Sequence, residues 1–437
     1  MRSGRLEWAT RPWHLVPLLL ITLVNAGCAM GLELYADEAY YWTYSRQLDA
    51  GYFDHPPMVA WLIWLGTLVI SNELGVRLVF VMLTTATYSG LYRLIQPRLP
   101  WFFWGVLFSL FPLHLIGFMA LPDVPLLFFT VVFLLVYRHY LHTPGWSKVL
   151  LLSIAVAGML YSKYHGVLII FFTLVSNPSL LQKKSFYGVV LLSFGLLIPH
   201  LIWLWDHDWV SVTYHLFERP SSPFKWQHPI HFLISFILFN GPFLFIVLVT
   251  RSWRRSWIDP FEKALFLILT GFFSFFLLMS LKGRVEANWT LPVLISAVFL
   301  GFARLRPSGI NQGLVGISLA LFLTFRIFLL FPGLFTDRRT RGLEFHGHRE
   351  WALKVSTEAG TTPVLAERYQ EAALLAYYLQ RPASVYPVEG QRKSQFDLWK
   401  PKIRAHSYYH LKREKFNSDC RLHHPYYGCY SLILAQD

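Results

Sequence analysis

The chain is 437 residues long, 54% hydrophobic, 17% aromatic and only 15% charged. That balance excludes a soluble protein of this length, and repeated apolar runs of about 20 residues, each able to cross a hydrocarbon core of roughly 30 Å, define a polytopic membrane protein. Lys and Arg outnumber Asp and Glu by 39 to 25, but they fall mostly in short links between apolar runs, the pattern of cytoplasmic anchors and not of a nucleic-acid face.

Arg2, Arg5 and Arg11 precede the first run, and Ala26-Gly27-Cys28 resembles part of a lipoprotein cleavage site. The run from Pro12 to Leu34 is longer than a signal core, and Asn25 stands where such a site takes an aliphatic residue, so it reads as an uncleaved first span. Further spans are expected at 74–95, 101–121, 124–141, 149–161, 164–176, 186–204, 230–250, 261–281, 289–303 and 311–332, about eleven in all. The runs 149–161 and 164–176 are short, and charge decides how they count. Taken as two spans, they leave Arg2/Arg5/Arg11, Arg93/Arg98, Arg138/Lys148, Lys183/Lys184, Arg251/Arg254/Arg255 and Arg304/Arg306 on one face. Asp37, Glu38, Asp54, Asp123, Lys163, the segment 206–219, Lys282 to Trp289 and the C-terminal segment then share the other. Taken as one span, they split the basic clusters between both faces, against the positive-inside rule.

After about Leu334 the chain turns polar, with Pro363, Pro382, Pro387 and Pro401. Strands are expected at 363–366, 383–386 and 430–435 and a helix at 371–379, a small α/β domain over 335–437. The expected fold is therefore an all-α polytopic membrane domain over 1–334, with a catalytic first outer loop at 35–73, followed by this extracytoplasmic α/β domain. Cys28 reads as a packing residue. Cys420 and Cys429 bracket two histidines at a spacing that matches no standard zinc site, which leaves a disulfide or two thiols.

Acids are scarce, yet Tyr35–Met58 carries Asp37, Glu38 and Asp54, with His55, several aromatics and Pro56-Pro57. An amphipathic interfacial helix is expected after Asp37-Glu38, either a capped helix with an aromatic belt or the mouth of a reaction centre. Leu121-Pro122-Asp123-Val124-Pro125 places an acid at the start of a span, as a cap or as a site residue. Lys163, in Tyr161-Ser162-Lys163-Tyr164-His165, has no carboxylate beside it in sequence and needs an anionic partner, for which a phosphate would serve, unless it snorkels to the interface. Lys282 and Arg284, before Asn288-Trp289, put cations on the outer face against the usual bias. Carboxylates in one stretch and cations in others suit a base that acts at one end of a substrate while a phosphate leaves at the other.

Asp37-Glu38-Ala-Tyr-Tyr-Trp, Gly51-Tyr-Phe-Asp-His-Pro-Pro, Pro122-Asp123-Val-Pro, Ser162-Lys163-Tyr164 and Asn288-Trp289 together resemble the dolichyl-phosphate-mannose protein mannosyltransferase-like superfamily of GT-C membrane glycosyltransferases. The resemblance is to the bacterial branch, akin to the 4-amino-4-deoxy-arabinose lipid A transferases. It implies an inverting transferase in the bacterial inner membrane, acting on its periplasmic face. The donor would be a polyprenyl-phosphate sugar and the acceptor a glycolipid, glycan or protein hydroxyl. By the same resemblance Asp37 is the catalytic aspartate, Lys163 lies near the donor phosphate, and Asp54 and Asp123 line the same cavity. Glu38 is expected beside Asp37 as a catalytic residue, and His55, Tyr164, Lys282, Arg284, Asn288 and Trp289 are expected to bind substrate. A divalent metal would be held by Asp54, Asp123 and His215. Where those transferases have Glu-Lys before Pro-Pro, this chain has Asp54-His55. A transporter or flippase of a lipid-linked sugar is the competing expectation, although charges gathered at one face suit it less than charges at the midplane.

Overall fold

In the computed structural model, which describes residues 15–218, 224–253, 259–334, 344–382, 384–385, 392–399, 407–414 and 420–436, each apolar run expected to span the membrane is helical. The chain divides into two compact units. The division does not follow a boundary near residue 334. One unit is Met1–Gly27, Phe80–Ile202 and Val212–Leu323, and the other is Cys28–Val79, Trp203–Ser211 and Thr324–Asp437.

The described helices begin with α1 (Leu15–Gly31), α2 (Ala36–Ser45), α3 (Met58–Thr67) and α4 (Glu73–Ile95). Next come α5 (Pro100–Phe108), α6 (Phe111–Leu115), α7 (Asp123–His142), α8 (Trp146–Ser162), α9 (Gly166–Ser176), α10 (Lys184–Asp206) and α11 (Val210–Thr213). They continue with α12 (Gln227–Asn240), α13 (Leu244–Ser252), α14 (Pro260–Ser280), α15 (Pro292–Phe302) and α16 (Gly309–Leu330). Five of these are long and apolar enough to cross a membrane, or up to eight if each bent pair is one span, against the eleven or so expected. Two expected spans are broken. The run 101–121 bends by 76° after α5, where Pro112 occupies the first turn of α6 and ends the preceding hydrogen-bond ladder. The run 230–250 bends by 102° between α12 and α13. There Gly241 takes φ +100°, open to glycine alone at little cost, and Pro242 follows.

In the first unit α7 packs along α8, and Gly158 permits the approach: a Cβ there would lie 2.4 Å from the Phe129 ring. The basic ends meet as charge placement requires. Arg138 donates to the Leu94 carbonyl at 2.8 Å and Arg304 to the Arg251 carbonyl at 3.0 Å. The 20 residues of α7 rise about 30 Å, so Asp123 at its start lies nearly a hydrocarbon thickness from that basic end.

The second unit joins the first loop to the C-terminal segment. That segment holds α17 (His348–Ala359), α18 (Tyr369–Leu379), α19 (Gln395–Trp399) and a sheet of β1 (Val364–Ala366), β2 (Ser384–Val385), β3 (Ser407–Glu414), β4 (Leu422–His424) and β5 (Gly428–Gln436). The strand order is β2-β1-β3-β5-β4, with β1 parallel to both neighbours and β5 antiparallel to β3 and β4. Cys420 and Cys429 form a disulfide. The small α/β fold matches expectation, while α17, α19, β3 and β4 add to the elements foreseen.

The interfacial expectation for α2 fails. Tyr40, Tyr41, Trp42 and Tyr44 are all buried. Tyr40 packs on Tyr369 with ring centroids 4.5 Å apart, and Trp42 meets Tyr377 edge-on at 5.1 Å. A belt helix would show these rings to lipid headgroups; here α18 covers them.

Holding α2 is Arg77 of α4. Every N–H of its guanidinium is used: Nε and Nη2 grip the two Glu38 oxygens at 2.8 and 2.6 Å, Nη1 reaches the Ala29 and Leu32 carbonyls, and Nη2 also reaches that of Glu33. Both charged side chains are fully buried. Removing one partner of such a pair leaves the other charge uncompensated, at a cost of about 3–5 kcal/mol. Arg77→Met is therefore expected to lower the melting temperature of the detergent-solubilised protein sharply. Arg77→Met/Glu38→Met, with no charge stranded, should recover much of the loss in the same assay.

Candidate functional site

Pro122 precedes α7 and no side-chain cap closes that helix. The Asp123 carboxylate instead accepts from Lys163 Nζ at 2.8 Å and Asn288 Nδ2 at 3.2 Å. Lys163 stands where α8 ends, its backbone extended before α9 begins. Both side chains are nearly buried, so the anion that Lys163 requires is, in this structure, Asp123. Interfacial snorkelling is thereby excluded. Three residues singled out from sequence, on three separate segments, thus meet in one constellation.

Further expected site residues lie in the same unit. Tyr164 shares a hydrogen bond with His200 Nε2 at 3.3 Å and its ring lies 6.0 Å from that of His215, which sits on the π-helical turn Tyr214–Glu218. Trp289 packs on His165 and Phe276 at 5.4 and 5.7 Å. Arg284 pairs with its neighbour Glu286 at 3.1 Å with most of its side chain exposed, and Lys282 is exposed. In the same unit a cavity of about 290 Å³ runs among α7, α8, α9 and α10, lined by side chains such as Phe133, Val156, Leu160, Ile170, Val190 and Phe194.

The second constellation is built on the first loop. Glu38 is fully buried and taken by Arg77, while its Oε2 also accepts the Tyr35 N–H at 2.9 Å. Both Glu38 oxygens are thus engaged within the protein, and Glu38 fixes the start of α2. Asp54, 3% exposed, accepts from the hydroxyls of Tyr40 and Tyr44 at 2.8 and 3.2 Å and from Arg392 Nη2. His55 packs edge-on against Tyr41 at 5.4 Å.

Asp37 is half-buried. Its Oδ1 accepts a hydrogen bond from the Tyr369 hydroxyl at 3.3 Å, and that hydroxyl accepts one from Arg392 Nη1 at 3.0 Å. Burial, reinforced by Asp37, pushes the Tyr369 phenol well above its usual range, so it remains a neutral donor. Arg392 also lies over the Tyr369 ring, 5.0 Å from its centroid. Gln395 completes the clamp: its N–H donates to Tyr40 Oη at 2.6 Å and its Oε1 accepts from Phe53 N at 2.7 Å.

Arg77, Arg392 and Gln395 escaped the sequence reading. Arg77 had a legible signal, a cation inside an apolar span. Nothing near Arg392 or Gln395 in the chain announces their partners. Among the described residues no three His, Cys, Asp or Glu side chains are grouped as a metal site.

Residues 54–203 match the family described as dolichyl-phosphate-mannose-protein mannosyltransferase, a stretch that contains Asp54, Asp123 and Lys163. Over 371 residues, 80% of this chain and 78% of the relative, the sequence is 25% identical to the lipid A galacturonosyltransferase RgtD of Rhizobium johnstonii. The fold matches crystal structures of ArnT from Cupriavidus metallidurans, in the apo state and bound to undecaprenyl phosphate. In both the TM-score is 0.66 over 92% of this chain and 93% of the other, at 13% and 14% identity. The chain is thus a multi-pass membrane protein with the fold of ArnT. Its particular likeness is to the mannosyltransferase-like proteins that its first-loop motifs resemble.

Tyr369→Phe keeps the ring packed on Tyr40 and removes only the hydroxyl between Asp37 and Arg392. One such hydrogen bond is worth about 1 kcal/mol, more where a charge takes part, so a roughly five- to tenfold fall in glycosyl transfer is expected with the melting temperature nearly unchanged. Turnover and thermal unfolding of the same preparation check this.

Proposed function

We propose that this protein is an inverting glycosyltransferase that moves a sugar from a polyprenyl-phosphate donor to a hydroxyl acceptor at the outer face of a bacterial inner membrane. The observation that carries the reading is the sorting of the first-loop acids. Glu38 and Asp54 are buried on arginines, while Asp37 keeps access and a neutral hydrogen-bond donor.

Asp37 accepts the proton of the acceptor hydroxyl as its oxygen bonds to the anomeric carbon. The bond from that carbon to the phosphate oxygen breaks, and the polyprenyl phosphate departs with the electron pair. Its charge is stabilised by Lys163 with Lys282 or Arg284, Asp123 and Asn288 holding the lysine in place. Phosphate is already a good leaving group, so positioning and charge stabilisation carry most of the acceleration.

A lipid donor is supported by the apolar cavity among α7–α10 and by the ArnT structure bound to undecaprenyl phosphate. The name of the rhizobial relative supports lipid A as acceptor; a polysaccharide, another lipid or a protein hydroxyl fits the same chemistry. Outer-face action is supported by the Cys420–Cys429 disulfide, which needs an oxidising compartment.

The test is transfer from a synthetic polyprenyl-phosphate sugar to envelope lipids. Asp37→Asn is expected to lose about 10²- to 10⁴-fold in kcat; wild-type turnover by the folded variant overturns the base assignment. Donor that changes membrane face with no new glycosidic bond would mark a flippase instead. Mass spectrometry of envelope lipids from a deletion strain identifies the acceptor.

A further inference from the structure

A second carboxyl faces the start of α2. Glu344 lies half-buried where the C-terminal segment runs beside the link from α1 to α2. The Phe345 carbonyl accepts from Glu33 N at 3.2 Å, and the Phe345 ring stands 5.9 Å from that of Tyr35. The Glu344 carboxyl takes hydrogen bonds from the Tyr427 hydroxyl, the Tyr35 side chain and the Ala36 N–H, with the Asp37 charge against it.

We propose that Glu344 is a positioning residue of the catalytic centre: its carboxyl accepts from the Ala36 N–H, one residue before Asp37 in the first turn of α2, and its charge state sets how strongly Asp37 takes the acceptor's proton. This rests on the reading of Asp37 as the base. Burial, then the Asp37 charge, pushes the Glu344 carboxyl up to about 7, against the hydrogen bonds from Tyr427, Tyr35 and Ala36. Below that pH Glu344 is neutral. Above it a second negative charge stands beside Asp37, raises its proton affinity and makes it the stronger base.

The other ionisable groups here include Tyr35, Glu33, His346, His348, His424, Tyr426, Tyr427, Tyr369 and Arg392. His424 Nδ1 accepts from the backbone N–H of Tyr426 and Tyr427, each at 3.0 Å, so its proton sits on Nε2 and is donated to His348 Nδ1 at 2.8 Å. The Glu344 backbone acts on the His348 imidazole, opposing the effect of burial. Burial lowers these two imidazoles to about 4 for His348 and about 2 for His424. They remain neutral where Glu344 titrates and serve as a fixed strut behind it.

The experiment is the pH profile of kcat for the full-length protein in lipid nanodiscs. Wild type is expected to rise about three- to tenfold between about pH 6 and about pH 8, and Glu344→Gln to stay flat at the lower level. Tyr427→Phe removes a bond that favours the carboxylate, so its inflection should move to higher pH. An unchanged inflection in Glu344→Gln overturns the proposal, and so does an unmoved one in Tyr427→Phe, which decides alone if the first variant does not fold. Infrared difference titration reads the same carboxyl without turnover. A protonated-carboxyl band that disappears through about pH 7, and is missing from Glu344→Gln, supports the assignment even if polyprenyl-phosphate transfer fails. Its absence from wild type overturns it.

Discussion

The second unit depends on one buried ion pair. Arg77 projects from a membrane helix and gathers the C-terminal carbonyls of α1, the backbone of the link that follows and both oxygens of Glu38. A guanidinium suits the task because its planar fork satisfies a carboxylate and several carbonyls together, which an ammonium does not. Unpaired in that position, either charge would be costly enough to drive the chain apart, so the pair dictates where α2 begins and hence where Asp37 stands.

With α2 fixed, the chemistry of its neighbours follows from which partner each acid receives. Glu38 is spent on structure. Asp54 is held by two phenols and Arg392, and through them it draws the segment around Gln395 onto the first loop. Asp37 is left with a phenol above it and a carboxyl beside it. In the other unit Asp123 and Lys163 form a pair nearly as dry, which fixes the lysine in direction.

Much of this was legible in the chain. Apolar runs of membrane length placed the helices, and the basic links told that 149–161 and 164–176 were separate, as α8 and α9 are. Misplaced charges marked Asp37, Asp123 and Lys163. What escaped lay in long-range pairing. No local pattern distinguishes Glu38 from Asp37 as the acid that meets Arg77, since the two are adjacent and both open a helix. Strand β3 was hidden because Leu411 is its one buried residue and the rest of its pattern is polar. The breaks at Pro112 and Gly241-Pro242 had clear signals, but apolar length outweighed them.

The bond from Tyr369 to Asp37 joins residues 332 apart, and that from Gln395 to Phe53 joins residues 342 apart. Contacts of such separation close last. While the chain is being made, the first loop is complete long before the segment that closes over it. Until that segment is synthesised, Asp37 and Asp54 lack the Tyr369 and Arg392 partners that order them. Order in the first loop is thereby tied to the late synthesis of the segment that carries those two residues.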